Sequence, residues 1–355
     1  MTPLSGQTLV LPPASSFLRA WKSPPQFPPP HPLHTRLTDQ VINPILTSLI
    51  PHPKALQKAI EYDTALLVCG LFPSLTSDSD FEKLKTVAIW LVWIVLWDDA
   101  IDSSSSGSIN AEEYVRLSKE YVRGCLLGWE RGEPEAPSRV CELVREVGER
   151  LRGVNAWREG DRVRLWEKLE RYMDDCLVEY DVRMSGGAVT EEGFWIYRTG
   201  TSGVGAFCQM GRVMNGGGGL PGEVLGWEEV RNMEVMVNKS FVLVNELFSL
   251  KKELKDGPAT NLIPIAMHDG NCDLAWTVKR LMDDYVYWGS EFRNIAARLR
   301  ARVEEEYGGE IMEMVEKTIE AYEAVVTGIL EFSVQSPRYG MKQYEREDGY
   351  FEIPL

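Results

Sequence analysis

The stretch Thr86–Trp97, TVAIWLVWIVLW, runs straight into Asp98-Asp99-Ala100-Ile101-Asp102, and the contrast between its two halves decides how the chain is read. A helix that is apolar on every side belongs at the centre of a helical bundle. The apolar run holds only twelve residues, short of the roughly 20 needed to cross a bilayer. At about 100° per residue, Asp98 and Asp102 share one face and Asp99 lies a quarter turn away. Carboxylates closing a buried helix are costly unless something neutralises them, and at a helix C-terminus they also oppose the macrodipole. Divalent cations remove that cost, and carboxylate oxygens suit Mg²⁺. A solvated last turn leading into the Ser103–Ser106 loop is the other reading of the same residues.

A second polar cluster lies in Val244-Asn245-Glu246-Leu247-Phe248-Ser249-Leu250-Lys251-Lys252-Glu253. Asn245, Ser249 and Glu253 recur at i, i+4 and i+8, within about 80° of one helix face. An amide, a hydroxyl and a carboxylate form a hard-oxygen set for a divalent cation, and Lys252 falls on the same face, where it could hold an anion. The alternative is a solvent-facing polar stripe, but Asn and Ser are poor mid-helix residues. Two further basic positions stand at breaks. Arg198 precedes Thr199-Gly200-Thr201-Ser202-Gly203, where glycines interrupt a helix and free amides for an anion. Arg338-Tyr339 follows Ser336-Pro337. Taken singly, each arginine reads as an ordinary ion-pairing residue.

Outward from these clusters, the periodicity is helical almost throughout. It predicts helices near 39–50, 54–71, 80–102, 111–130, 137–152, 160–184, 190–200, 203–214, 225–256, 272–304 and 308–334, with no strand required. Proline and glycine punctuate the gaps. Residues 1–35 hold nine of the 20 prolines, a composition that resists helix and favours extended polyproline structure. They form either a loose tail or an arm that drapes over the body and caps the site, anchored by Trp21, Phe27 and Leu33. Residues 36–355 then make one all-α domain.

Composition narrows the function. The 355 residues are 44% hydrophobic and 26% charged, which is that of a globular chain. A net charge of −15 from 38 basic and 53 acidic residues argues against a general nucleic-acid binder. Cys69, Cys125, Cys141, Cys176, Cys208 and Cys272 form no CxxC pair and read as reduced thiols of a cytoplasmic protein. Only four histidines are present, so a histidine-rich metal site is not expected. The start MTPLSGQTLVLPPASS lacks a basic segment followed by a long apolar run, so no targeting segment is expected.

Together these residues resemble a class I terpene synthase of the fungal and bacterial type. Asp98-Asp99-Ala100-Ile101-Asp102 matches the family's aspartate-rich DDxxD motif. Asn245 to Glu253 matches NDxxSxxKE, with Glu246 in place of the usual Asp. Arg198 stands where the family has its diphosphate-sensing arginine, and Arg338-Tyr339 matches its C-terminal pair. The resemblance covers residues 60–340 and implies a single-domain helical bundle around an apolar cavity. It also implies three Mg²⁺ ions, with Mn²⁺ as substitute, held by Asp98, Asp99, Asp102, Asn245, Ser249 and Glu253. Arg198, Asn245, Lys252, Arg338 and Tyr339 would contact an isoprenoid diphosphate, and Thr201 and Ser202 would stand at the effector positions.

Residues one and two turns deeper than these motifs are the expected cavity lining: Trp90, Leu91, Ile94, Phe207, Phe241 and Phe332. Trp93 and Trp97 point elsewhere and are expected to pack between helices. The expected activity is cyclisation of farnesyl diphosphate to a sesquiterpene hydrocarbon or alcohol by a monomer or homodimer. The loops around 103–109, 199–204 and 335–345 would close the mouth. Geranylgeranyl diphosphate is the alternative substrate. A chain-elongating prenyltransferase would need a second aspartate-rich motif, which Asp174-Asp175 and Asp283-Asp284 do not supply. A helical scaffold protein would leave the Asn245–Ser249–Glu253 spacing unexplained.

Overall fold

The computed structural model describes residues 4–103, 110–129, 132–153, 157–185, 189–256 and 261–355; the side chains of Asp102, Ser103 and Asp256 lie outside that description. The expected loop at 103–109 therefore falls almost wholly outside it.

The chain begins with strand β1 (Thr8–Leu11) and helix α1 (Ala14–Trp21), followed by α2 (His34–Leu37), α3 (Asn43–Leu49), α4 (Pro53–Glu61) and α5 (Thr64–Leu71). The central helix α6 spans Phe81–Ser103, and α7 (Ala111–Leu127), α8 (Glu142–Gly153) and α9 (Glu159–Ser185) follow it. Two shorter helices meet at a break, α10 (Glu191–Thr201) and α11 (Val204–Arg212), before the short α12 (Gly222–Leu225). The rest is α13 (Glu228–Asp256), α14 (Leu262–Gly270), α15 (Leu274–Tyr307), α16 (Met312–Gln335) and a last strand, β2 (Phe351–Pro354).

Helix α6 is buried on all sides, as its composition demands: Val87, Ala88, Ile89, Trp90, Leu91, Val92 and Trp93 are each at most 1% exposed. Trp93 and Trp97 pack between helices as expected, with Trp97 stacked on Tyr114 at 6.1 Å and tilted on Tyr172 at 5.7 Å. Helices α5, α7, α8 and α9 pack against α6, and α11, α13 and α16 pack on one another, with α16 joined to α5. Helix α16 crosses α5 through Gly70 and Gly328, where a Cβ added at 328 would sit 2.4 Å from the Gly70 carbonyl carbon.

The N-terminal arm departs from its sequence reading in two ways. Ala14–Trp21 is helical, because the segment itself contains no proline and Pro13 occupies the cap position before it, where the fixed φ does no harm. Strands also exist: Leu9 pairs with Ile353 and Leu11 with Phe351 in an antiparallel ladder. All four side chains are at most 1% exposed. The expected anchors hold in part, with Trp21 and Leu33 buried and Phe27 partly buried. Gly289 of α15 lets the α1 backbone approach, since a Cβ there would lie 2.4 Å from the Ala20 carbonyl oxygen.

Two helix boundaries also differ. The expected helix 54–71 breaks at Asp63, which takes φ 55° and caps α5 by accepting from the Leu66 amide at 3.1 Å. Helix α14 was not expected: it lies in the gap between the expected helices 225–256 and 272–304. Pro264 stands in its first turn, where a missing N–H costs nothing, and Asn261 caps the helix through the Ile263 amide at 2.9 Å.

Candidate active site

A cavity of about 290 Å³ opens at the C-terminal end of α6. Asp98 and Asp99 line it from one wall; Asn245, Ser249 and Glu253 line it from α13. The i, i+4, i+8 spacing places those three on one face, while Val244, Leu247 and Leu250 turn into the core, each 0% exposed. Arg198, Thr201 and Ser202 enter from the α10–α11 break, and Arg338 and Tyr339 from the segment after α16. Leu91, Ile94, Phe207, Phe241 and Phe332 supply apolar lining, each as expected in position.

Two expected site residues stand elsewhere. Trp90 packs edge-on behind Phe207 at 5.1 Å and is not among the described lining residues. Its position, eight residues before Asp98, turns it towards α11 rather than into the hollow. Lys252 is half-buried beside Glu253 and is likewise outside the described lining. The Asp102 side chain lies outside the described residues. Asp174 pairs with Lys119 at 2.8 Å and Asp283 with Lys279 at 2.6 Å, so those acid pairs are supporting surface, as the sequence indicates.

A line of hydrogen bonds joins three of the sequence motifs across the cavity. The Arg198 Nη2 donates to Asn245 Oδ1 at 2.9 Å, and Asn245 Nδ2 donates to the Tyr339 hydroxyl at 3.2 Å. Arg198 also donates through Nη1 to Thr201 Oγ1 at 3.1 Å and through Nε to Glu246 Oε1 at 3.0 Å. Glu246 is 2% exposed, and its other oxygen accepts from the Leu262 amide at 3.1 Å, at the positive end of α14. Burial pushes the Glu246 carboxyl up against the pull of Arg198. On the opposite wall the Cys176 thiol donates to Asp98 Oδ1 at 3.7 Å, and burial raises that thiol well above its usual range.

Two orphaned groups indicate what would complete the site. Ser249 Oγ and Arg338 Nε are both buried without a hydrogen-bond partner, although buried polar groups are rarely left so. A hydroxyl oxygen beside an amide and carboxylates fits a hard cation; a guanidinium N–H fits an anion. Among the described residues no three His, Cys, Asp or Glu side chains gather as a ready cage. The donors are divided between two walls and include an amide and a hydroxyl.

Sequence reasoning missed one wall. Tyr172, Cys176, Glu179, Tyr180 and Arg183 of α9 line the cavity. They fall at i, i+4, i+7, i+8 and i+11, a single helical stripe that a search for aspartate pairs passed over. Tyr62 was missed too, because it precedes a boundary read as continuous helix.

An all-α bundle with acids, amide, hydroxyl and arginines gathered at the mouth of an aromatic hollow defines a class of enzyme that works on anionic, apolar substrates. The model named terpene synthase family 2, C-terminal metal binding, matches residues 89–286, more than half of the chain. The protein therefore belongs to the terpene synthase family, enzymes that act on isoprenoid diphosphates. It is 23% identical to the sesquiterpene cyclase hepA of Aspergillus oryzae over 316 residues, covering 85% of this chain and 83% of the relative. It is 25% identical to 10-epi-cubebol synthase of Sorangium cellulosum over 244 residues, covering 63% and 75% respectively. Among solved structures, linalool/nerolidol synthase from Streptomyces clavuligerus superposes with a TM-score of 0.70 at 16% identity, covering 88% of this chain and 99% of that one.

Proposed function

We propose that the protein is a Mg²⁺-dependent class I cyclase that converts farnesyl diphosphate to a sesquiterpene hydrocarbon or alcohol and diphosphate. The observation that carries this reading is the Arg198–Asn245–Tyr339 line of hydrogen bonds, which puts three motifs distant in sequence on one cavity opposite Asp98 and Asp99. A relative named a sesquiterpene cyclase supports the fifteen-carbon substrate.

Asp98, Asp99, Asp102, Asn245, Ser249 and Glu253 are the residues assigned to hold three Mg²⁺ ions. When bound, the ions would neutralise the diphosphate and stabilise it as a leaving group. Arg198, Arg338 and Tyr339, which line the cavity, are assigned to donate hydrogen bonds to the diphosphate oxygens, orienting the carbon–oxygen bond towards the apolar end. Preorganised donors of this kind act most strongly where water is excluded. The aromatic faces of Phe207, Phe241 and Phe332 then shelter the allylic cation left in the hydrocarbon half, each contributing on the order of 1–2 kcal/mol when desolvated. Thr201 and Ser202 stand where the broken helix can respond to diphosphate on Arg198.

The test is mass spectrometry of products from geranyl, farnesyl and geranylgeranyl diphosphates, with and without Mg²⁺. Cyclic fifteen-carbon products that need Mg²⁺ are expected, and Asp98→Ala or Asn245→Ala should abolish them while helical content stays near wild type. Full turnover in either variant would refute the metal assignment. A requirement for isopentenyl diphosphate would point to chain elongation instead.

A further inference from the structure

Among the described residues of the proline-rich arm none lines the cavity, whose first lining residue is Tyr62. The arm meets the cavity wall at second hand. His34, at the start of α2, sets its Nε2 2.9 Å from Oδ1 of Asp63. Asp63 adopts φ 55° and ψ 60°, the left-handed region that a residue with a side chain enters at a cost of about 1–2 kcal/mol. A side chain that stays there must be held. Asp63 has two such holds: the Leu66 amide it caps at 3.1 Å, and His34.

The residue immediately before it, Tyr62, is part of the lining. Its ring lies 5.1 Å from that of Phe332, and the guanidinium of Arg338 stands over it at 4.4 Å. Its carbonyl oxygen accepts from Ser336 Oγ at 3.1 Å, two residues before Arg338. The dihedral angles at position 63 therefore set the plane against which both an apolar lining residue and a diphosphate-facing arginine rest.

We propose that His34 is a positioning residue for the cavity. By holding Asp63 in its left-handed conformation it fixes Tyr62, and Tyr62 in turn fixes Arg338 and Phe332. The arm thus acts on the site by bracing its wall rather than by capping its mouth. This rests on the proposed function, because Arg338 and Phe332 take their roles from it.

The experiment compares wild type, His34→Ala and His34→Gln for KM and kcat with farnesyl diphosphate, for product ratio, and for thermal midpoint. His34→Ala is expected to raise KM at least about fivefold and to redistribute products while kcat stays within about threefold. His34→Gln, which retains a donor for Asp63, is expected to restore KM and product ratio to within about twofold. If His34→Ala does not fold, Asp63→Ala, which keeps the cost of the left-handed backbone and removes the acceptor, should show the same raised KM. Wild-type KM and product ratio in folded His34→Ala, or failing that in Asp63→Ala, would overturn the positioning role alone. Failure of His34→Gln to recover what His34→Ala loses would also overturn it. Wild-type protein that releases no diphosphate from any of the three isoprenoid substrates would bring down the functional reading and this inference with it.

Discussion

At the scale of single residues, Glu246 has more consequence than its place in the sequence suggests. It accepts from the Arg198 guanidinium on one side and from the first amide of α14 on the other. Glu246→Gln leaves that guanidinium without its nearest counter-charge in a site where only 20% of the arginine side chain is exposed. Removing one partner of a buried pair typically costs about 3–5 kcal/mol. The expected outcome is a lowered thermal midpoint together with kcat/KM reduced at least about tenfold, measured by scanning fluorimetry and diphosphate release. Phe332 offers a separate reading. It packs against Tyr62 and Tyr339 at 5.1 and 5.9 Å and lines the apolar part of the cavity. Phe332→Leu is expected to change product ratios while the rate of diphosphate release stays within about threefold; an unchanged product profile would remove it from the reacting volume.

At the scale of elements, the crossing of α5 and α16 is tight enough to test by one methyl group. A Cβ at position 328 would meet backbone rather than a movable side chain, at 2.4 Å, whereas one at position 70 would stand 3.1 Å from the Gly328 Cα. Gly328→Ala is therefore expected to destabilise by about 1–3 kcal/mol, more than Gly70→Ala, by chemical denaturation. Ile329 and Phe332 lie on the same helix and line the cavity, so the shift should also appear in the products. The elements show how far the sequence could be read. Helix α6 and its acids were legible because an all-apolar run ending in carboxylates has few other places to go. The stripe on α13 was legible because its spacing matches one helix face. The β1–β2 ladder was not, because strands of four residues separated by almost the whole chain leave no alternation long enough to register. Helix α1 was obscured by the prolines around it, and α14 is a nine-residue helix in the gap between two longer ones. The α9 wall of the cavity was readable as a stripe but was read only for its aspartates.

At the scale of the whole molecule, charge and burial set a pH dependence. Glu331 and Glu323 on α16 are each pushed up to about 7, with burial the largest cause. Their folded forms hold protons more tightly than an unfolded chain with the ordinary value of 4.5. Stability from these two groups therefore falls as pH rises from about 4.5 to about 7 and stays reduced above it. Glu331 is 8% exposed, so Glu331→Gln should gain on the order of 2 kcal/mol relative to wild type at pH 8 and little at pH 4.5, read as thermal midpoints at the two pH values. An equal gain at both would show that the carboxylate's charge is not what costs. The net charge of −15 also opposes entry of a diphosphate, so added salt is expected to weaken that repulsion and raise the association rate in the absence of Mg²⁺.

The placement of the thiols follows the same division between inside and outside. Cys69, Cys125, Cys141, Cys176 and Cys208 are buried, and Cys272, between α14 and α15, is partly exposed. A maleimide dye offered to the native protein therefore has one ready address, and the thiol that touches Asp98 is shielded from it. Mass spectrometry should find a single adduct per chain before unfolding and six after. The molecule thus comes with its own attachment point for a fluorophore or a surface, set apart from the chemistry and available without rewriting any of its cysteines.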